Sequence, residues 1–143
     1  MSADDRQAVH DLLVGYFQGF DQRRTDDAFL KRTFTADAQW RFPRGDASGI
    51  EEIIERRDGA LGLWKQTLHS VSSVLIDLDD DRAQFTATLL ATHIHRGDDP
   101  GAPLQIGGRL TGDAVRGDAG WRLRRLELDL VWTDGDPPVR ASD

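Results

Sequence analysis

The sequence predicts an α+β domain whose helices pack on one face of an antiparallel sheet. Two observations carry this. Helical periodicity fills the N-terminal part, and from Thr67 onward the chain alternates as long strands broken by acidic and glycine-rich turns. The third helix interrupts the strands, so the order reads α-α-β-α-β-β-β-β. The 143 residues fit a single domain over 1–133. Residues 134–143, with two prolines and few apolar side chains, read as a loose tail.

The first helix is the clearest element. Val9, Leu12, Leu13, Tyr16, Phe17 and Phe20 recur at steps of three and four and form one apolar stripe. Ser2 can cap it, with Asp4 and Asp5 at the positive end of its dipole. Gly15 and Gly19, four apart, mark a side where a neighbour packs closely. A short second helix starts at Thr25, with Asp26 and Asp27 in its first turn and Leu30 facing in. Phe34–Phe42 reads as a strand with Trp40 and Phe42 on one face, ended by Pro43, Gly45 and Gly49. Ser48 with Glu51 forms a capping-box signature for the third helix, whose inner stripe is Ile50, Ile53, Ile54 and Leu61.

Four long strands follow: Thr67–Leu78, Ala83–His95, Leu104–Val115 and Trp121–Trp132. They are separated by Asp79-Asp80-Asp81, a loop with Gly97, Pro100, Gly101 and Pro103, and Gly117-Asp118-Ala119-Gly120. In the last strand the apolar phase shifts. Trp121 and Leu123 share one face, whereas Leu126, Leu128, Leu130 and Trp132 share the other. A bulge near Arg124 and Arg125 would explain the shift and re-aim one arginine inward, while the plainer reading keeps Arg125 facing solvent.

Composition narrows the function. A net charge of −7 argues against nucleic acid as a partner, despite the local cluster of Arg122, Arg124 and Arg125. The sequence contains no cysteine, which removes thiol nucleophiles, disulfides and iron–sulfur ligation. No apolar run is long enough to span a bilayer, so no membrane partner is expected and a cytoplasmic location is the default expectation.

The order and spacing of several short motifs resemble the nuclear transport factor 2 superfamily, and within it the SnoaL-like, polyketide-cyclase-like group. They are Tyr16-Phe17-Gln18-Gly19-Phe20-Asp21, Phe34-Thr35-Ala36-Asp37-Ala38-Gln39-Trp40, Gly49-Ile50, Thr67-Leu68-His69 and Gly120-Trp121-Arg122-Leu123. The resemblance covers the chain up to Trp132. It implies a cone-shaped fold around an apolar pocket, no cofactor, and a homodimer formed through the outer sheet face. The branch most resembled contains scytalone dehydratase, lindane dehydrochlorinase and bile-acid dehydratase. Its Asp at the end of the first helix falls on Asp21, its pocket-strand His on His69, its Tyr on Tyr16 and its final-strand Arg on Arg125.

These residues also have plainer readings. Asp21 sits where a helix dipole disfavours a carboxylate, and Arg23 or Arg24 can neutralise it in solvent. A lone histidine such as His69 is more often a hydrogen-bonded core residue. Tyr16 and Phe17 belong to the packing stripe, and Trp40 either walls a pocket or fills core. His93 and His95 alternate as a possible metal pair, but no motif supplies a third ligand, so no metal is expected. Of the two, His93 is the expected pocket residue. The resulting expectation is a cofactor-free lyase or isomerase acting on a small, mostly apolar cyclic molecule. Asp21, His69, Tyr16 and Arg125 would do the chemistry, with Trp40, His93 and Phe17 binding substrate. A non-catalytic ligand-binding or assembly module of the same fold is the alternative.

Overall fold

A computed structural model describes residues 2–97 and 101–138, without the side chain of Ser2. The order is α1 Ser2–Asp21, α2 Asp27–Thr33, β1 Phe34–Phe42, β2 Gly45–Ser48, α3 Ile50–Leu63, β3 Gln66–Asp79, β4 Arg82–Ile94, β5 Leu104–Gly117 and β6 Gly120–Asp134. The six strands form one curved, unclosed sheet in the order β2-β1-β6-β5-β4-β3.

Two details depart from the sequence reading. Pro43 and Gly45 do not end the sheet; they bracket a tight hairpin in which Phe42 pairs with Gly45 and β2 returns along β1. Gly45 holds φ 145° there, a value favouring glycine. The sheet is also mixed. β1 pairs parallel to β6, an arrangement open to strands with no hairpin between them.

The core lies inside the curve. Val9, Leu13, Tyr16 and Phe17 of α1 pack with Leu30, Phe34, Ile53, Phe85, Leu89, Leu110, Leu123 and Leu126. Leu12 is only partly buried. Gly19 lets Phe29 of α2 sit against α1: a Cβ there would lie 2.9 Å from the Phe29 ring. No such neighbour faces Gly15.

Bulges set which side chains face inward. In β6, Asp113 pairs with Arg125 and Ala114 with Leu123, which leaves Arg124 as the extra residue at the expected phase shift. A second bulge near Val131 puts Trp132 opposite Gly107, with the indole lying over that glycine. Leu130 pairs with the buried Gly108, so Trp132 leaves the face of Leu126, Leu128 and Leu130, contrary to the expected alternation. In β3, Ser73 at φ 53° lies in the irregularity between Ser72 and Leu75. Below it Thr67, His69 and Val71 point inward; above it Val74, Ile76 and Leu78 do.

Helix starts shift by a residue or two. Asp26, rather than Thr25, caps α2 by accepting from the Phe29 amide at 2.8 Å. Gly49 occupies the cap position of α3 at φ 87°, and Glu52, not Glu51, reaches back to the Ser48 amide. Within the expected tail, Asp134 ends β6, and Asp136 bonds the Ala102 amide through Oδ2 at 2.7 Å. Pro100 and residues 139–143 lie outside the described residues. Among the described residues no helix is long and apolar enough to cross a membrane.

Candidate active site

The site begins with how α1 stops. Arg23 takes a left-handed conformation at φ 57°, so its amide bonds the Phe20 carbonyl and that of Arg24 bonds the Gly19 carbonyl. This is a Schellman ending with arginine where glycine is usual. The Arg23 guanidinium crosses to α3 and donates to the carbonyls of Leu61, Trp64 and Lys65 at 2.9, 2.7 and 3.1 Å. Arg23 is thereby committed to α3, and the Asp21 carboxylate turns to β3.

There Asp21 accepts three hydrogen bonds. Its Oδ1 lies 2.6 Å from His69 Nδ1 and 2.8 Å from Thr67 Oγ1, and its Oδ2 accepts the His69 amide at 2.7 Å. Both side chains are nearly buried, at 11% exposure for Asp21 and 10% for His69. Burial pushes the Asp21 carboxyl up, but the ring, the backbone and the charge of His69, with Thr67, outweigh it and hold the group below its ordinary 3.8. A charged carboxylate on Nδ1 makes that nitrogen the proton carrier and leaves the Nε2 lone pair to act as a base.

Aromatic rings surround His69. Phe17 lies 5.2 Å away, Phe20 5.8 Å and His93 5.6 Å, the last two nearly perpendicular to it. The His93 Nδ1–H donates to the Leu104 carbonyl at 3.1 Å, and its ring packs on Trp64. Burial, with lesser contributions from the charges of His69 and Arg44, holds His93 below the ordinary 6.5 despite the Leu104 bond. His95 is placed differently. It donates through Nε2 to the carbonyls of Ala102 and Asp136, tying the β4–β5 loop to the segment after β6. Among the described residues no three His, Asp or Glu side chains gather into a metal-sized cluster.

Tyr16 is buried, with edge contacts to Phe17 and Phe34 at 5.0 and 5.2 Å. Burial pushes its phenol up to about 12. The Trp40 ring stacks on Phe42 at 4.0 Å. Its indole N–H is near enough to ease the Tyr16 shift, yet it lacks an acceptor at hydrogen-bonding geometry.

Arg125 is not brought to this group. Its strand phase matches Asp113 and Gln39 on the outer face, and it bonds Asp113, Thr111 and Glu127 there at 3.2–3.4 Å. The bulge expels Arg124 from the register without turning Arg125 inward. A cleft of about 940 Å³ opens near the start of α1, between residues such as Arg6, His10, Val74 and Arg125; Asp21, His69, Tyr16 and His93 do not line it. Two contributors escaped the sequence reading. Thr67 stands two residues before His69 on the same strand face, a period-2 signal that could have found it. Trp64, just beyond α3, gave no comparable signal.

The residues matching a SnoaL-like domain are 1–127. An uncharacterized protein of Mycobacterium tuberculosis H37Rv is 32% identical over 126 residues, spanning 86% of this chain and 84% of that one. A Novosphingobium aromaticivorans structure assigned as a scytalone dehydratase superposes with a TM-score of 0.84 at 22% identity, covering 98% of this chain and 92% of that one. A hexachlorocyclohexane dehydrochlorinase from Novosphingobium barchaimii gives 0.80 at 17%, covering 98% and 93%. These two likenesses establish the fold, and the match over residues 1–127 establishes the family. The chain belongs to the SnoaL-like family and has the fold of the nuclear transport factor 2 superfamily.

Proposed function

We propose that this protein is a cofactor-free lyase in which His69, oriented by Asp21, removes a proton from carbon. The observation that carries the reading is the 2.6 Å contact between Asp21 Oδ1 and His69 Nδ1 in a nearly dry setting. A fixed carboxylate behind the ring selects the tautomer and stabilises the imidazolium that forms. Two structural neighbours, one assigned as a scytalone dehydratase and the other a hexachlorocyclohexane dehydrochlorinase, support elimination as the reaction class.

In that reaction His69 Nε2 takes the proton next to a carbonyl, and the C–H electron pair becomes the new double bond. The carbon–oxygen bond to the leaving hydroxyl breaks. The imidazolium returns its proton to that oxygen, and water departs. Tyr16, kept protonated by its burial, donates to the oxygen on which charge develops. Phe17 and His93 shape an apolar site for a small ring. Arg125 has no part in this scheme, since it bonds Asp113 and Glu127 on the outer face.

A binding-only role is favoured by one observation: the open cleft near the start of α1 is not lined by the Asp–His pair. The two readings separate on cyclic β-hydroxyketones, with enone formation followed by ultraviolet absorbance. The lyase reading expects enone from the native protein and a loss of roughly 10²–10⁴-fold in His69→Ala. Binding of the ring compounds without enone supports the second reading.

A further inference from the structure

We propose that residues 59–65, the end of α3 with Trp64 as its plug, form a lid over the Asp21–His69 pair. The lid opens by unwinding its last turns, and the Arg23 guanidinium is its latch. The need for a lid is steric. The Asp21 and His69 side chains are 11% and 10% exposed, and neither lines the open cleft near the start of α1. A bulky ligand therefore reaches the pair only when part of its wall moves.

The second half of α3 is built as the part that moves. Ile50, Ile53 and Ile54 reach the core from its first turns, and of the whole helix only Ile53 is buried. Past Arg57 no side chain of α3 joins that core. Gly59 and Gly62 follow, and a Cβ on either would meet nothing within 4 Å. Packing does not require glycine there, yet each glycine weakens the helix relative to alanine. Sparse apolar burial marks a segment that opens locally, at less cost than global unfolding.

Two arginines hold this end shut. The last turn of α3 has no basic residue of its own to face the negative end of the helix dipole. Arg23 supplies that charge from the end of α1, donating to the Leu61, Trp64 and Lys65 carbonyls at 2.9, 2.7 and 3.1 Å. Arg96 donates to the Gly62 carbonyl at 3.1 Å. Three of these four bonds are exposed, so water competes for them. Trp64 is buried, yet it packs on His93 at 4.9 Å and His95 at 5.2 Å instead of joining the main core. His93 in turn lies 5.6 Å from His69. Unwinding residues 59–65 draws Trp64 off His93 and uncovers the ring behind it.

A lid serves a lyase and a binding module alike, so its test needs no turnover. Diethyl pyrocarbonate modifies accessible imidazole, and mass spectrometry after digestion reads the four histidines separately. Arg23→Gly keeps the left-handed turn and removes the guanidinium. His69 and His93 should then react roughly tenfold faster, the worth of a lost charged hydrogen bond. His10, partly exposed on α1, should keep its native rate. Gly59→Ala and Gly62→Ala should act in the opposite direction, each slowing His69 and His93 about fivefold. Should Arg23→Gly fail to fold, Arg96→Gln cuts the other guanidinium and should also quicken both rings. The Nδ1–H resonance of His69 should persist in the arginine variant, because the bond to Asp21 is untouched. Unchanged His69 reactivity without the guanidinium, an equal quickening of His10, no slowing in the alanine variants, or loss of that resonance overturns the proposal.

Discussion

Asp21 and His69 meet twice, through the ring Nδ1 at 2.6 Å and through the backbone amide at 2.7 Å, although 48 residues separate them in the chain. The amide bond fixes the carboxylate to the strand, and the ring bond fixes the imidazole to the carboxylate. The pair is consequently a rigid unit placed between the end of α1 and the start of β3.

That unit predicts an acid-dependent stability. The Asp21 pKa is lower in the fold than the ordinary 3.8, so the folded state prefers the charged form. Its contribution is complete above pH 3.8 and is lost as pH falls through the lower folded value. Melting temperatures of native protein and Asp21→Asn should differ at neutral pH and converge below pH 3.8. A constant gap across that range would contradict the assignment.

His93 predicts a second loss of stability in acid, at a higher pH and from a group the fold prefers uncharged. Burial holds its pKa below 6.5, so the neutral ring is the one the fold accepts. The unfolded chain binds a proton there first as pH falls, and stability contributed by this site declines below pH 6.5. A ring titration followed by NMR should give a midpoint under 6.5. Replacing His93 with Gln should remove part of the stability loss between neutral pH and pH 5.

The two glycines of α1 should respond differently to alanine. At Gly15 a Cβ meets nothing within 4 Å, and Gly15→Ala should gain about 1 kcal/mol from helix propensity. At Gly19 it meets Phe29 at 2.9 Å, and the clash should cancel that gain or reverse it. Thermal melts of the two variants check the contrast.

The outer sheet face predicts association. Leu68, Leu90 and Trp132 are 70%, 47% and 44% exposed, and Leu90 and Trp132 both pair across Gly107. A two-fold dimer covering this face should bury roughly 1,600 Å². Light scattering should show a dimer at micromolar concentration, and Leu90→Glu should yield a monomer. A monomeric native protein would count against it.

Much of this fold was legible because alternation is a strong signal in long strands. β1 runs Phe34–Phe42 as read, and the β6 bulge at Arg124 followed from a phase shift between Leu123 and Leu126. The same logic applied to Val71 and Val74 would have found the β3 bulge. Trp132 was misplaced because Leu130, Val131 and Trp132 are consecutive apolar residues, and such a run hides a change of face. β2 was missed because Pro43 and Gly45 look alike whether they end a strand or turn it. Asp21 was conspicuous as a carboxylate at an unfavourable helix end, but its partner was not. Local chemistry favoured Arg23, and only the family resemblance pointed to His69. The left-handed Arg23, whose guanidinium is spent on α3, decides the matter in three dimensions.

The central claim is that the Asp21–His69 pair abstracts a proton from carbon next to a carbonyl. Deuterium exchange at the α-carbon of 1-tetralone in D₂O, followed by proton NMR, reads that step without requiring the natural leaving group. Native protein should accelerate the exchange above buffer, with Asp21→Asn slower by roughly 10²–10⁴-fold and tetralone affinity little changed. Equal exchange by native protein and Asp21→Asn, or exchange no faster than buffer while tetralone is bound, would contradict it.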